Sequence, residues 1–313
     1  PPDAEPLALR LAASDASFAG RSQKADETYL FLLEDTAQGR LAGVCGIDAA
    51  VGLRQAWYSF RVGLAVHASQ ELGVFTQTRT LFPANDHTGH SEICSLLLHP
   101  QYRHGGLSSL LSKCRFLFMA EHRARFATKV IAELRGVTDA AGRSPFWEGL
   151  GRHFFSMDFS RADYLTGIGR KSFVAELMPR HPLYANLLAP DAQAVIGHTH
   201  EDTAPARRLL EQEGFRHEGH VDIFDAGPVL EIDVDDVDAI RKSRRFTAAS
   251  GTPVGEAPWL VSNTAFEGFR ACVVRGGPTG DSFALPDATL AALGLEAGGL
   301  LRAVALAPAD RTA

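Results

Sequence analysis

The spacing of apolar and polar positions predicts strands and helices over the first two thirds of the chain. Residues 28–33, 41–47 and 57–67 are rich in β-forming side chains, and we expect them to form three antiparallel strands in a meander. A polar loop is predicted over 81–90. The continuous apolar run at 93–98 is typical of a strand buried on both faces.

The clearest predicted element is a helix that follows this buried strand. Its apolar side chains recur at the helical period and form one stripe: Leu107, Leu110, Leu111, Cys114, Leu117 and Phe118. A second buried strand is predicted at 129–134, and another helix is predicted to begin at Ser144-Pro145, with serine as the cap. The remaining elements predicted here are helices at 171–178 and 202–213 and a pair of strands at 220–224 and 229–232.

The last part of the chain has a different pattern. Short strand-like runs alternate with glycine and proline, which is typical of a small β-barrel or sandwich. These runs lie at 246–249, 259–262, 270–275 and 300–305, with a helix predicted at 287–293. We therefore predict two domains, at 1–234 and 235–313, and a second, degenerate repeat from about residue 172 stays open as an alternative within the first.

Composition and charge narrow the class of protein. The chain has 313 residues, of which 45% are apolar and 22% charged, as in ordinary soluble globular proteins. No apolar run reaches the roughly 18 residues of a membrane-spanning helix, so no membrane association is expected. A net charge of −6 argues against nucleic-acid binding. The four cysteines are widely separated, which predicts free thiols in a reducing compartment, the cytoplasm.

A short loop joins the first buried strand to the stripe-bearing helix. Gly105 and Gly106 stand at the mouth of this helix, where backbone N–H groups and the helix dipole favour an anion. Arg103 and His104 add positive charge beside them. Two further basic residues are placed to reach a second phosphate: Lys113 and Arg115. A tight turn without any ligand is the alternative interpretation.

This loop resembles the acetyl-CoA-binding motif of the GNAT N-acyltransferase superfamily, Arg/Gln-x-x-Gly-x-Gly/Ala. Arg103, Gly106 and Ser108 occupy its three defining positions, although serine departs from the usual glycine or alanine. The order of elements and the segment FWEGLG (146–151) are also similar to that superfamily. The resemblance implies a mixed α/β sheet of the GNAT acyl-CoA N-acyltransferase type, with two central strands that splay apart around the cofactor.

Longer segments are similar to the arginine N-succinyltransferase family over essentially the whole chain. They include LFPANDHTGHSEICSLLL (81–98), GRSPFWEGLGRHFFSMDFSRADYLTGIG (142–169) and AELMPRHPLY (175–184). The resemblance implies succinyl transfer from the co-substrate succinyl-CoA to the α-amino group of L-arginine, or of ornithine, in bacterial arginine catabolism. It implies direct attack in a ternary complex, without a tightly bound cofactor. The family carries about one more strand and helix before the position of Pro1, so both are expected to be missing.

The same resemblance assigns roles to two positions. His200 matches the family's catalytic histidine, described as the proton donor, and His198 is the neighbouring alternative. Leu96 matches a position that binds succinyl-CoA, and its contribution is expected from the main chain because its side chain is apolar. Together with the loop, the expected cofactor-binding residues are Leu96, Arg103, His104, Gly105, Gly106, Leu107 and Ser108.

Arginine recognition requires carboxylates for the guanidinium and basic side chains for the carboxylates. The candidate carboxylate-binding residues are Arg61, Arg135 and Arg152, and the candidate guanidinium-binding residues are Asp86, Glu92, Asp222 and Asp225. GNAT enzymes usually place acceptor-site groups just before the cofactor-binding strand. We therefore expect the substrate-binding set to be Asn85, Asp86, Glu92 and Arg61.

Alternative chemistries and partners complete the expectations. His87 and His90 could join His198 and His200 at a metal site, but the reaction needs no metal and none is expected. The alternative functions are a GNAT enzyme with another acyl-CoA or amine, and a non-catalytic subunit of a two-subunit succinyltransferase. The expected partners are small-molecule substrates and, in an oligomer, copies of the same chain or a related subunit.

Overall fold

Two β-sheets form the framework of the protein, and the computed structural model describes residues 4–168 and 172–306. The strands of the large sheet are β1 (Thr28–Asp35), β2 (Arg40–Asp48), β3 (Ser59–Ser69), β4 (Val74–Ala84), β5 (Ser91–Leu98), β6 (Lys129–Glu133), β7 (Leu183–Tyr184), β8 (Arg216–Asp222) and β9 (Pro228–Asp233). Those of the second sheet are β10 (Arg244–Ser250), β11 (Val254–Asn263), β12 (Ala271–Gly277), β13 (Ser282–Leu285) and β14 (Leu300–Ala305). The strand orders are β1-β2-β5-β6-β9-β8-β3-β4-β7 and β12-β11-β14-β10-β13.

Helices connect these strands and cover the sheets. Their bounds are α1 (Ala4–Phe18), α2 (Leu107–Glu121), α3 (Arg152–Phe155), α4 (Phe159–Gly167), α5 (Ser172–Leu177), α6 (Pro190–Val195), α7 (Ala204–Gln212), α8 (Asp238–Lys242) and α9 (Asp287–Leu293). A π-helical turn (Trp147–Gly151) directly precedes α3. The helix predicted from Ser144-Pro145 is confirmed, and the Ser144 hydroxyl caps it by accepting from the Trp147 N–H at 3.2 Å.

The two central strands of the large sheet pair only at their beginnings. Strands β5 and β6 run parallel, and their register contains two pairs, Ser91 with Val130 and Glu92 with Ile131. β5 continues to Leu98 and β6 to Glu133, so the strands diverge beyond these pairs. The other pairings in this sheet are antiparallel. The predicted mixed α/β fold with splayed central strands is therefore confirmed.

A β-bulge interrupts β5 where it has left β6. On the other side of β5, Val44 pairs with Leu97 and Gly46 with Cys94, so β5 contributes one residue more than β2 across this interval. Ser95 takes a positive φ of 56° at the same place. A bulge leaves a residue outside the ladder and turns the strand locally. The main chain around Leu96 is therefore removed from regular pairing with β2.

Helix α2 is buried by two different layers. Leu111 and Phe118 pack in the core cluster of the large sheet. On another side of the helix, Leu117 packs with Leu260 and Val304 of the second sheet. The predicted apolar stripe is confirmed, and the helix buries more than that stripe because a second sheet covers it.

A second apolar cluster covers strands β3, β4 and β8. Its centre is Trp147, whose ring stacks on Phe155 with centroids 5.2 Å apart and planes 14° apart. The Trp147 indole N–H donates to the carbonyl of Met157 at 2.9 Å, so the buried polar atom of this large side chain is satisfied. Phe159, at the beginning of α4, also contacts the Trp147 ring. This cluster fixes the position of α3 and α4 next to the open end of the sheet.

Several predicted elements differ from the structure. The meander is wrong, because β3 pairs with β4 and β8 rather than with β2. The polar loop predicted at 81–90 begins only after Ala84, since β4 extends through 81–84. The hydrophobic pattern did not indicate β13. The helix predicted at 171–178 is present as α5, although Lys171 lies outside the described residues. Gly169, in the family-like segment 142–169, and residues 307–313 of the predicted second domain also lie outside them.

The N-terminal helix was also not predicted. α1 is fixed to β1 by serine side chains: the Ser14 hydroxyl accepts from the Leu30 N–H at 2.9 Å and the Ser17 hydroxyl from the Thr28 N–H at 3.0 Å. Both serines are buried. Because the contact is largely polar, the helix has no clear apolar stripe. This helix begins at Ala4, inside the chain, so it does not test the expectation of a strand and helix missing before Pro1.

We expect Gly227→Ala to destabilise the turn between β8 and β9. A Cβ at Gly227 would lie 2.0 Å from the carbonyl oxygen of Leu134 and 2.5 Å from the Gly136 nitrogen, so backbone must move. Overpacking of this kind costs about 1–3 kcal/mol or more. Gly167→Ala is the control, because nothing lies within 4 Å of its Cβ position. Chemical denaturation should show a lower free energy of unfolding for Gly227→Ala alone. Equal free energies of unfolding for the two variants would contradict the close backbone packing at Gly227.

Candidate active site

The loop between β5 and α2 has the geometry of an anion-binding site. Gly105 and Gly106 have φ angles of 65° and 81°, and Gly106 is the N-cap of the 15-residue helix α2. Open space lies in front of both glycines, since nothing is within 4 Å of either Cβ position. The Leu107 N–H donates to the His104 carbonyl at 3.3 Å, and the first helical turn beyond it faces an accessible volume. Arg103, His104, Gly105 and Gly106 are exposed there.

Two basic residues that the sequence placed near a second phosphate have other roles. The Lys113 ammonium pairs with the carboxylate of Glu213 at 2.5 Å, and Glu213 is buried. Arg115 is 1% exposed and donates to Ser112 and, at 3.4 Å, to the carbonyl of Cys94. Both side chains therefore fasten α2 to its neighbours and do not point to the loop. That expectation was wrong, and Arg103 and His104 supply the positive charge at the loop.

The side chain and the main chain of Leu96 have different surroundings. Its side chain is half-buried and packs against the core cluster of the large sheet. Its main chain lies at the bulge, beyond the last pair of β5 with β6 and between the Cys94 and Leu97 pairs of β5 with β2. A main-chain group at this position is free of regular sheet pairing and stands at the mouth of the splay. This arrangement is compatible with the predicted main-chain contribution.

His200 is held against the end of β6. Its backbone N–H donates to the carbonyl of Arg135 at 2.8 Å, and the adjacent Thr199 forms a β-bridge with Gly136. The imidazole Nδ1 accepts from the N–H of Asp202 at 3.1 Å. Because Nδ1 uses its lone pair in this bond, the neutral ring carries its proton on Nε2. The side chain is 19% exposed, and no hydrogen bond of Nε2 is found among the described residues.

A cavity of about 270 Å³ lies beside the same strand end. It is bounded by the end of β6, the turn between β8 and β9, helix α4 and the segment before β3. Four acidic residues line it, together with one basic residue: Glu133, Asp163, Asp222, Asp225 and Arg135. The Thr166 hydroxyl on α4 also lines the cavity and is buried without a hydrogen-bond partner among the described residues. The chemistry of this lining is suited to a cationic ligand.

Burial and mutual repulsion shape the charge of the cavity. Burial, followed by the charge of Asp225, raises the pKa of Asp222 to about 8. Burial also raises the pKa of Asp225, although its carboxylate accepts from the Gly136 N–H at 2.7 Å and the Gly227 N–H at 2.8 Å. Two carboxyl groups are thus held together with little water. A cation between them would favour the ionised forms of both.

The structure brings together part of the substrate-binding candidates. Asp222, Asp225 and Arg135 meet in the cavity, whereas the preferred set of Asn85, Asp86, Glu92 and Arg61 is absent from its lining among the described residues. Asn85 donates to the carbonyl of Trp57 at 2.5 Å, and Trp57 lines the cavity. Asp86 is bonded to His220, Glu92 is buried at the beginning of β5, and Arg61 is exposed on β3. Arg152 pairs with Glu148 on its own helical segment.

Glu133, Asp163 and Thr166 are cavity residues that were not among the sequence candidates. Glu133 is the last residue of β6, and an acidic residue at the end of a buried strand was a usable signal. Asp163 and Thr166 lie three residues apart on α4, which is the spacing of neighbours on a helix face. Only the packing of α4 beside β6 brings these positions to the strand end.

Comparison with known proteins agrees with this architecture. The family described as arginine N-succinyltransferase beta subunit matches residues 1–239, and the family described as its C-terminal domain matches residues 244–305. The chain belongs to the arginine N-succinyltransferase family. The family resemblance found in the sequence is therefore confirmed, and with it the acyltransferase class that the family's name gives.

Individual relatives cover nearly the whole chain. The arginine N-succinyltransferase of Enterobacter sp. (strain 638) is 52% identical over 315 residues, covering 100% of this chain and 92% of the relative. That of Citrobacter koseri is 50% identical with the same coverage. The solved structure of arginine/ornithine succinyltransferase subunit AI from Pseudomonas aeruginosa has 35% identity and a TM-score of 0.89, covering 98% of this chain and 91% of that one. Among the described residues, no helix has the length and apolarity needed to cross a membrane.

We expect Lys113→Met to lose stability without weakening succinyl-CoA binding. The substitution leaves the buried Glu213 carboxylate without its cation, which costs about 3 kcal/mol. Adding Glu213→Gln should recover part of the loss, since the amide oxygen can still accept from the Ala239 N–H. Lys242→Met, which breaks an exposed pair, is the control. A raised KM for succinyl-CoA in a stably folded double variant would restore a phosphate-binding role for Lys113.

Proposed function

We propose that this protein transfers a succinyl group from succinyl-CoA to the α-amino group of L-arginine. The observation that carries the proposal is the acidic cavity at the end of β6, beside the splay between β5 and β6 and next to His200. The names of the full-length relatives support the same reaction. Ornithine, which is named for the Pseudomonas protein, is a second amine of the same cationic class.

The splay and the loop provide the two ends of the succinyl-CoA site. The pyrophosphate is proposed to bind the N–H groups around Gly105 and Gly106, with Arg103 and His104 beside it. The pantetheine arm then lies between β5 and β6, and the thioester carbonyl is proposed to receive a main-chain hydrogen bond near Leu96. Stabilising the oxygen charge that develops on this carbonyl lowers the barrier to attack. Leu107 and Ser108 supply the first turn of α2.

The reaction needs one proton to leave the amine and one to reach the departing sulfur. The neutral α-amino nitrogen attacks the thioester carbon, the C–S bond breaks, and the CoA thiolate takes up a proton. His200 is proposed to supply that proton as an imidazolium ion through Nε2, the nitrogen that points away from the Asp202 contact. The neutral ring that remains takes back the proton that the attacking nitrogen loses as the succinyl amide forms, through solvent at the open strand end.

The cavity is proposed to hold the arginine side chain. Asp222 and Asp225 face the guanidinium, and Glu133 adds a third carboxylate on the same strand end. Arg135, whose carbonyl accepts from the His200 N–H, is proposed to bind the α-carboxylate, which places the α-amino group near His200. A carboxylate lining explains the preference for a cationic amino acid over a neutral one.

The assembly and location of the protein are part of the proposal. The compared families and the solved relative carry the word subunit in their names, so an oligomer of identical or related chains is proposed. Free cysteines in the described residues, including buried Cys45 and Cys114, favour the cytoplasm. Light scattering and turnover of the purified chain alone distinguish a self-sufficient enzyme from a subunit that requires a partner.

We expect His200→Ala to lower kcat by about 10²–10⁴, because acid–base catalysis is lost. His198→Ala is the matched control, since His198 is exposed and two residues away. Release of CoA from succinyl-CoA and arginine, followed with a thiol reagent, measures both. Wild-type rates for His200→Ala, or a loss confined to His198→Ala, would overturn the assigned role.

We expect arginine to bind more tightly as the pH rises from 6 to 8. Asp222, with its pKa raised to about 8, is largely protonated at the lower pH, and a bound guanidinium favours its ionised form. Asp222→Asn should weaken binding about tenfold or more and remove most of this pH dependence. Calorimetry without succinyl-CoA keeps binding separate from the reaction.

The same variant makes a stability prediction. A folded-state pKa raised above the unfolded value means that the wild type loses stability as the pH rises toward 8, and Asp222→Asn should flatten this loss. Asp281→Asn, at an exposed position in the turn before β13, is the control for both measurements. Arginine affinity that is equal in Asp222→Asn and the wild type would place the guanidinium elsewhere.

A further inference from the structure

A second polar cluster lies apart from the arginine cavity. It consists of His87 in the turn before β5, His220 on β8 and Glu231 on β9. Glu231 pairs with Ile131, two residues before Glu133 on β6, so the cluster lies about 7 Å along the strand from the cavity lining. The proposed reaction does not use any of its members.

The three side chains are arranged like metal ligands. One donor atom from each lies within 4.8 Å of the others. His87 Nε2 is 3.1 Å from Glu231 Oε2, and His220 Nδ1 is 3.8 Å from the same oxygen. The imidazole rings of the two histidines have centroids 4.4 Å apart. Two imidazoles and one carboxylate form a ligand set that suits zinc and similar divalent ions.

Both histidines are buried, and their hydrogen bonds leave one ring nitrogen of His220 without a partner among the described residues. His87 is 1% exposed and His220 is 9% exposed. The Nδ1 atom of His220, which faces Glu231, is buried without a hydrogen-bond partner among the described residues. Buried polar atoms are nearly always satisfied, so an unsatisfied ring nitrogen aimed into a polar cluster indicates a missing partner.

Neighbouring charges hold two of the ligands in the required state. The Asp86 carboxylate accepts from His220 Nε2 at 3.0 Å, which places the ring proton on Nε2 and leaves the Nδ1 lone pair directed to the cluster. Lys129 donates to Glu231 Oε1 at 2.8 Å and leaves Oε2 on the side of the histidines. A carboxylate behind the histidine and a fixed carboxylate beside it are typical surroundings of protein metal ligands.

We propose that His87, His220 and Glu231 bind a divalent transition-metal ion of the zinc class. The ion would tie the turn before β5 to β8 and β9, and so stabilise the segment from which β5 enters the splay. His90 follows His87 by three residues, with ring centroids 5.6 Å apart, and is a candidate for a fourth ligand. The sequence had grouped His87 and His90 with His198 and His200; the structure gives them His220 and Glu231 as neighbours instead.

The Lys129 ammonium, which pairs with Glu231, provides a test of whether a cation occupies the cluster. Its charge stabilises Glu231 but opposes a nearby cation. Lys129→Met should therefore tighten metal binding if an ion occupies the cluster, and should only destabilise the protein if the cluster is an ion-pair network. His220→Gln and His87→Gln should weaken binding about tenfold or more. His153→Gln, at an exposed position, is the matched control.

The experiment uses the full chain after treatment with a chelator. Titration with CoCl₂, followed by visible absorption, and with ZnCl₂, followed by calorimetry and thermal melting, should show one bound equivalent and a raised melting temperature. The proposal would be overturned if neither Co²⁺ nor Zn²⁺ binds. Equal metal affinity of the wild type and a folded His220→Gln variant would overturn it as well. Arginine binding is measured separately, so failure here leaves the proposed transferase function unaffected.

Discussion

The early separation of β5 from β6 is the constraint on which the rest of the active site depends. Two parallel strands that pair at only two positions leave backbone groups and space where a sheet would normally be closed. Such an opening is tolerable only if other elements hold both strands in place. The β2 ladder and helix α2 hold β5, and the β9 ladder holds β6 over its whole length. The reactive thioester is proposed to occupy the gap that results.

Helix α2 is the element that keeps this opening rigid. It is covered by the large sheet and by the second sheet, and its charged side chains Lys113, Arg115 and Glu121 are bonded to neighbouring elements. Arg115 reaches the carbonyl of Cys94, directly before the bulge, while Lys113 holds Glu213 at the end of α7. The first turn of the helix, where the pyrophosphate is proposed to bind, therefore rests on a well-fixed support. The second sheet contributes to the site by burying α2, and it need not touch a substrate.

Much of this arrangement could be predicted from the sequence. The buried strands β5 and β6, the stripe of α2 and the glycines before it have strong local signals, because burial on both faces, helical periodicity and left-handed turns each select particular residues. Pairing partners could not be predicted in the same way, because a strand pattern does not specify its neighbour. β3 pairs with β8, and Phe60 and its partner Val221 are far apart in the sequence. Asp222, Asp225 and Arg135 were among the candidates, but choosing them over Asp86 and Glu92 required the packing of α4 beside the strand end. The serine contacts of α1 lie outside what an apolar pattern can report.

The two hydrogen bonds of Asp225 have a consequence for how this family can change its amine preference. This carboxylate holds Gly136 and Gly227 together, and Gly136 pairs with the residue before His200. A substitution at Asp225 would therefore disturb the proposed arginine cavity and the proposed proton donor His200 at once. Asp163, exposed on the separate wall formed by α4, has no such connection among the contacts described. Divergence toward shorter or longer cationic substrates is accordingly least constrained on α4, where the cavity can be reshaped without moving the end of β6.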